Sequence, residues 1–185
     1  MAYPISGTFD STDEALIARW RRGDQRAATA LVERHAQPLA RFAASLGGRE
    51  GVDELVQDTF VRAFASLETF RADSSLRTWL FTICKRLLLD RSRTERRRPE
   101  GVELDERHAV VGYDALDGLV AEETATRVRD AVARLTPLQR DVFTLRVTEG
   151  MPYNEIAKVV ESTDGACRVH YHNAMRIIKE ELSND

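Results

Sequence analysis

An all-α chain, built as two small helical domains joined by a flexible acidic linker, is what this sequence predicts. Apolar residues recur at helical spacing through most of its length, a block from Pro99 to Glu123 loses that period, and the period then resumes and ends in a helix-turn-helix pattern. The cleanest repeat is Val52, Leu55, Val56, Thr59, Phe60, Ala63, Phe64 and Leu67, which all fall on one helix face. In the aperiodic block eight acids stand against Arg107, a local charge of −7, with Gly101, Gly112 and Gly118 interspersed. That composition reads as a solvated spacer.

The totals bound the rest. Apolar residues make up 43% of the 185, enough for a core, and 31% charged residues do not make a disordered composition. The net charge is only −3, so contact with a polyanion has to come from local segregation of charge. No apolar run approaches the roughly 20 residues of a membrane span. The start, MAYPISGTFDSTDEA, has neither a basic n-region nor an apolar h-region. Cys84 and Cys167 lie far apart and fit no metal spacing. A cytoplasmic protein is expected, without cofactor or metal. It is not expected to be an enzyme, because no nucleophile triad, Gly-rich phosphate loop or metal set is visible.

Taken in order, residues 1–11 form a flexible lead and residues 12–98 a first domain. Ser11 or Thr12 caps a helix at Asp13–Arg22, and Asp24 caps the next, which runs from Gln25 to Leu46. Pro38 lies inside it and is expected to kink or split it. His35, on the apolar side, reads as a packed residue rather than a ligand. On the exposed face of the Val52–Leu67 helix, Asp53, Glu54, Gln57 and Asp58 form an acidic stripe ending in Val61. Helix-dipole preference accounts for Asp53 and Glu54. It accounts less well for Asp58 and not at all for Val61, so a protein-binding patch is the better reading.

After a polar loop containing Phe70, Ser74 or Ser75 caps a helix that puts Leu76, Trp79, Leu80, Ile83 and Leu87 on one face. Arg77, Lys85, Arg86, Arg93 and Arg96 fall mostly opposite, and Phe81 and Leu89 sit toward that basic side. From Leu76 to Arg98 eight Arg and Lys residues stand against Asp90 and Glu95, a local charge of +6. Basic side chains interleaved with aromatic ones suit a phosphate backbone and stacked bases. An Arg-rich helix end favoured by the helix dipole is the simpler alternative.

Residues 99–121 are the linker and 122–185 the second domain. A helix near Glu122 turns Val128, Ala131, Val132 and Leu135 inward, and Thr136-Pro137 opens another that Gly150 ends. A short helix Tyr153–Val160, a tight turn and a helix from about Gly165 to Leu182 follow. The last helix buries Cys167, Tyr171, Ala174, Ile178 and Leu182 and presents Arg168, Val169, His172, Asn173 and Arg176. Arg and Asn make bidentate contacts to base edges in a major groove, and Val packs on a thymine methyl. Helix pairs of this kind also occur without DNA.

With those segments in hand, the chain resembles a bacterial RNA polymerase sigma factor of the two-domain extracytoplasmic-function type. DELVQDTFVRAF (Asp53–Phe64) is similar to the family's core-binding helix, and SLRTWLFTICKRLLLDRSRTERRR (Ser75–Arg98) to its minus-10 helix. Leu135–Leu182 is similar to its minus-35 helix-turn-helix domain. The resemblance implies core RNA polymerase, promoter DNA and an anti-sigma factor as partners, and no membrane insertion. It puts Asp53, Glu54, Gln57, Asp58 and Val61 on the polymerase. It gives Phe70, Ser74, Ser75, Arg77, Trp79, Lys85, Arg86, Arg93, Arg96 and Arg97 to the minus-10 element, and the exposed face of the last helix to minus-35. Only a dozen residues precede the first helix, so inhibition by a separate protein is implied. Two departures stand out: Arg86 replaces a usual Asn, and GACRVHYHNAMR has His170 and Asn173 where the family carries arginines. A stand-alone helix-turn-helix regulator and a helical adaptor or anti-sigma antagonist are the competing readings.

Overall fold

The computed structural model describes residues 12–47, 51–96 and 122–183. These residues form eight α-helices and one 3-10 turn, and no strand occurs among them. The flexible lead and the linker expected at 99–121 lie outside the described residues, as does Gly48.

Five of the eight described helices begin at a residue whose side chain caps them. Thr12 accepts the Ala15 N–H at 3.3 Å and opens α1 (Asp13–Arg21). Gly23 turns the chain at φ 89°, and Asp24 accepts the Arg26 N–H at 3.0 Å ahead of α2 (Gln25–Gly47). Gly51, at φ 71°, leads into α3 (Val52–Ser66), which a 3-10 turn at Leu67–Thr69 ends. Ser75 Oγ accepts the Thr78 N–H at 3.1 Å and caps α4 (Leu76–Arg96). After α5 (Glu122–Ala133), Thr136 and Gln139 form a reciprocal capping box at the start of α6 (Pro137–Val147). The two last helices are α7 (Tyr153–Val160) and α8 (Asp164–Ser183). Thr163 accepts the Ala166 N–H at the mouth of α8.

Pro38 does not divide α2. Leu31, His35, Leu39, Phe42 and Ala43 are buried at helical spacing on both sides of it. Tertiary packing along that face holds the helix together through the one hydrogen bond a proline removes. His35 is a core residue as expected, but it has a partner the spacing did not reveal. Its Nε2 meets Asp13 Oδ2 at 2.9 Å and so ties α1 to α2. Burial works against ionising Asp13, yet the hydrogen bonds and charges of His35 and Arg34 outweigh it and hold that carboxyl below its ordinary value.

Two apolar clusters hold the chain. The smaller joins α5, α6 and α8 through Val128, Val132, Leu135, Phe143, Ala174 and Ile178. The larger crosses from one half of the molecule to the other. It takes in Phe42, Phe60, Phe81 and Cys84 from α2–α4 together with Leu145, Ile156, Val160 and Cys167 from α6–α8. Helix α4 packs against α3 and α2 on one side and α7 on another, while α2 also meets α6. The two helical domains therefore lie against each other.

This double packing corrects the expected face of α4. Phe81 is 1% exposed and meets Phe42 edge-on at 4.9 Å between ring centroids, so it is core and offers no surface to a base. Burying such a ring contributes about 1.5–3 kcal/mol. Leu76, Thr78, Leu80 and Cys84 are buried with it, whereas Trp79, Ile83 and Leu87 are only partly covered. A single-stripe wheel misses this because α4 is covered from two directions.

Candidate nucleic-acid interface

The acidic stripe on α3 faces outward. Asp53, Glu54, Gln57 and Asp58 are all exposed, and Val61 is 63% exposed. Beside them lies an open groove of about 530 Å³ between α2 and α3, lined by Val32, Ala36, Ala40, Val56, Phe60 and Phe64, with Asp53 and Gln57 at its rim. An apolar floor with an acidic edge suits an amphipathic helix that carries basic residues. Asp58 is already paired within the chain, accepting from Arg91 of α4 at 2.6 Å.

The loop before α4 is held by a tilted aromatic contact and by helix α1. Phe70 lies against Trp79 at 5.0 Å, and Arg21 donates to the carbonyls of Leu67 and Phe70. Ala72 sits at φ 59°, a left-handed conformation that favours glycine. Ser74 is half-buried and Ser75 is exposed.

Three basic residues of α4, Arg77, Lys85 and Arg86, have partners in the other half of the molecule. Arg77 donates to Glu149, which also receives Arg41 of α2 through Nε at 3.0 Å and Nη2 at 3.3 Å. The Glu149 side chain is 0% exposed. Lys85 reaches Asp141 Oδ2 at 2.7 Å, both largely buried. Arg86 pairs with Glu161 at 3.0 Å in the open. Ser75 and Thr78 both donate to Glu155 Oε2. Lys158 closes the set by donating to the Asp73 carbonyl. Farther along, Arg93 is exposed, with Asp90 at 3.7 Å. Arg96 ends the helix, and Arg97 lies outside the described residues.

Helix α8 behaves differently. Arg168, Val169, His172 and Arg176 are exposed and Asn173 is half-exposed, all on the face away from the buried Cys167, Ala174 and Ile178. Arg168 is braced by Asp164 at 2.9 Å and lies over the Tyr153 ring at 4.7 Å, and Arg176 pairs with Glu180 at 2.9 Å. These local pairs hold the side chains extended but remain wet.

Comparison with known proteins assigns this arrangement. Residues 31–98 match the family model Sigma-70 region 2, and residues 125–178 match Sigma-70, region 4. The ECF RNA polymerase sigma-E factor of Haemophilus influenzae is 27% identical over 180 residues, 92% of this chain and 95% of its own length. That of Escherichia coli K12 is 28% identical over 183 residues, 92% of this chain and 94% of its own. The solved structure of CnrH in complex with the cytosolic domain of CnrY shares 30% identity, covering 94% of this chain and 98% of CnrH, with a TM-score of 0.66.

The chain belongs to the ECF RNA polymerase sigma factors.

A further fold match is the sigma factor RpoE of Bartonella quintana, solved with the anti-sigma factor NepR, at a TM-score of 0.63 and 20% identity. In this sigma factor the residues that the sequence groups together occupy three separate surfaces: the α3 ridge, the α4 face and the α8 face. Sequence reasoning did not find Glu149, Asp141 and Glu155, which sit on α4's basic and hydroxyl groups. A signal was present: Asp141 interrupts the apolar run of α6, and both Asp141 and Glu149 are 5% exposed. A buried acid needs a cation, and the nearest supply of unspent cations was α4. Among the described residues no helix is long and apolar enough to cross a membrane.

Proposed function

We propose that this sigma factor docks on core RNA polymerase through the α3 ridge and α2–α3 groove and places α4 and α8 on two promoter elements. The observation that carries the reading is the ridge: Asp53, Glu54, Gln57 and Asp58 stand exposed beside an apolar groove, with Val61 on the same face. The Phe70 loop, with Ser74, Ser75 and Trp79, then receives an unstacked base of the minus-10 element. Arg77, Lys85, Arg86, Arg93 and the Arg96–Arg97 end of α4 follow the phosphates. Arg168, Val169, His172, Asn173 and Arg176 enter the minus-35 major groove. Neither DNA contact has to be strong alone, since two elements engaged by one holoenzyme reinforce each other through effective concentration. An amphipathic helix on the polymerase, apolar on one side and basic at its edge, complements the groove. An anti-sigma factor is the further partner that family membership supports, and a cytoplasmic setting is the one consistent with that membership.

The test is core-dependent transcription in vitro. Asp53→Ala with Asp58→Ala should lower promoter-specific transcripts at least ~10-fold, the scale expected when a few interface residues dominate docking, with the circular dichroism spectrum unchanged. Normal transcription by the folded double variant would remove the ridge from the mechanism. Protection of a promoter by the chain without core would favour a stand-alone regulator.

A further inference from the structure

Helix α1 has no part in the promoter contacts above, yet it reaches the loop on which base capture depends. Arg21 is the last residue of α1, and its Nη2 donates to two backbone carbonyls, Leu67 at 3.0 Å and Phe70 at 3.3 Å. Those carbonyls lie where α3 runs out into the 3-10 turn. A helix end leaves its final carbonyls without partners inside the helix and carries partial negative charge, so it draws a cation. Helix α3 has no basic residue in its own last turn. The cation comes instead from 46 residues upstream.

We propose that Arg21 is a positioning residue for base capture at the minus-10 element. It acts through the loop and not on the DNA, holding Phe70 and the backbone after it in the geometry that an unstacked base enters. The proposal rests on the reading of the Phe70 loop as the capture site. That loop needs an anchor. Phe70 is extended at φ −65° and ψ 114°, and the exposed Ala72 sits at φ 59°, where its Cβ is crowded. Such backbone persists only where its surroundings hold it. The Leu67 carbonyl already accepts the Phe70 N–H at 3.2 Å, and Arg21 bridges that carbonyl to the Phe70 carbonyl. One guanidinium thus fixes both ends of the turn from which the Phe70 ring leaves to meet Trp79 at 5.0 Å. Arg21 stands on a firm base of its own. Asp13 ties the start of α1 to Arg34 and His35 of α2, Leu16 and Ile17 are buried, and Trp20 lies against Phe64 of α3. The docking of α1 is therefore passed on to the loop through a single side chain.

The experiment uses holoenzyme on a promoter it transcribes, with the non-template bases of the minus-10 element unpaired and replaced in turn by abasic sites. With the wild-type chain one abasic site should weaken binding at least ~5-fold, the scale of one stacked base. Arg21→Met keeps the alkyl stem and removes the donors. It should bring the ratio of intact to abasic affinity down to roughly 2, while binding to core and to the abasic promoter stays as in wild type. Arg21→Lys should fall between, because it keeps a cation near the carbonyls. An unchanged ratio in Arg21→Met overturns the proposal. Equal losses on intact and abasic promoters overturn it as well, since they would make Arg21 a support of the fold alone. A log–log salt slope shallower by about 0.7 in Arg21→Met would put the guanidinium on a phosphate and remove the positioning role. Phe70→Ala tests the underlying reading and should flatten the ratio to about 1. A flat abasic scan in wild type, or a wild-type ratio in Phe70→Ala, strikes the capture site and the proposal with it. A flat ratio in Phe70→Ala beside a full one in Arg21→Met strikes Arg21 only.

Discussion

Helices α4 and α8 carry similar equipment and meet opposite fates. Both have arginines on one face and a cysteine-centred apolar stripe on the other. On α8 the arginines pair with acids one turn away on the same helix, at exposed sites. On α4, Arg77 and Lys85 pair with acids 72 and 56 residues away, in sites screened from water by a second helical layer. Exposed pairs one turn apart are worth less than about 1 kcal/mol and leave the side chain ready for another partner. Pairs under a packed helix are released only by moving the helix. Sequence composition alone does not distinguish the two; what distinguishes them is whether another element covers the face.

The largest expected effect concerns the aromatic residue on α4. Phe81→Ala should cost about 3–5 kcal/mol in urea unfolding, whereas Val169→Ala on α8, 59% exposed, should stay within ~0.5 kcal/mol. Equal and small losses at both sites would mean that α4 is as open as α8. Next in size, Arg168→Ala and Arg176→Ala should each weaken holoenzyme binding to a minus-35 duplex by about 1–3 kcal/mol, read by mobility shift, with melting temperature unchanged. A matched loss of stability would show that the α8 pairs are structural after all.

Acid provides a third handle, at the contact between α1 and α2. The Asp13 carboxyl is held below 3.8, its ordinary value, so the stability it contributes is complete above that pH and disappears as pH falls through the lower folded value. Trp20 of α1 lies 5.8 Å from the Phe64 ring and reports on this docking. Its fluorescence should hold steady from pH 6 to about 4 and change below that; Asp13→Asn should abolish this step. The smallest effect is at Glu161, a non-glycine residue at φ 54° that ends α7. Glu161→Gly should stabilise by roughly 0.5–1 kcal/mol, because relief of the left-handed strain exceeds the value of an exposed pair with Arg86.

Much of this molecule was legible before any coordinates. Thr12, Thr136, Gly150 and the Tyr153–Val160 segment mark their helix ends by local chemistry, and the structure places the ends within a residue or two. Local rules failed where the cause was distant. Pro38 was expected to kink or split α2, and a buried face running past it keeps the helix undivided. Phe81 fell on the basic side of a wheel drawn for one neighbour, and α4 has neighbours on two sides. The pairings of Asp13 with His35 and of Glu149 with Arg41 join residues whose separation no periodicity encodes. The surfaces themselves are easier to read than their state of cover.

The two thiols turn that state of cover into something a reagent can count. Burial pushes the Cys84 thiol up to about 11 with Thr59 of α3 as its hydrogen-bond neighbour, so it is sealed inside the N-terminal half. Burial also raises Cys167, with Asp164 adding to the rise and the Lys85 ammonium of α4 opposing it; its place in the apolar cluster shared by the two halves puts this sulfur at the seam. A maleimide should therefore ignore both sulfurs in the resting molecule, find Cys167 when the seam parts, and reach Cys84 only on global unfolding. The order in which the two become labelled is a built-in clock for parting versus melting.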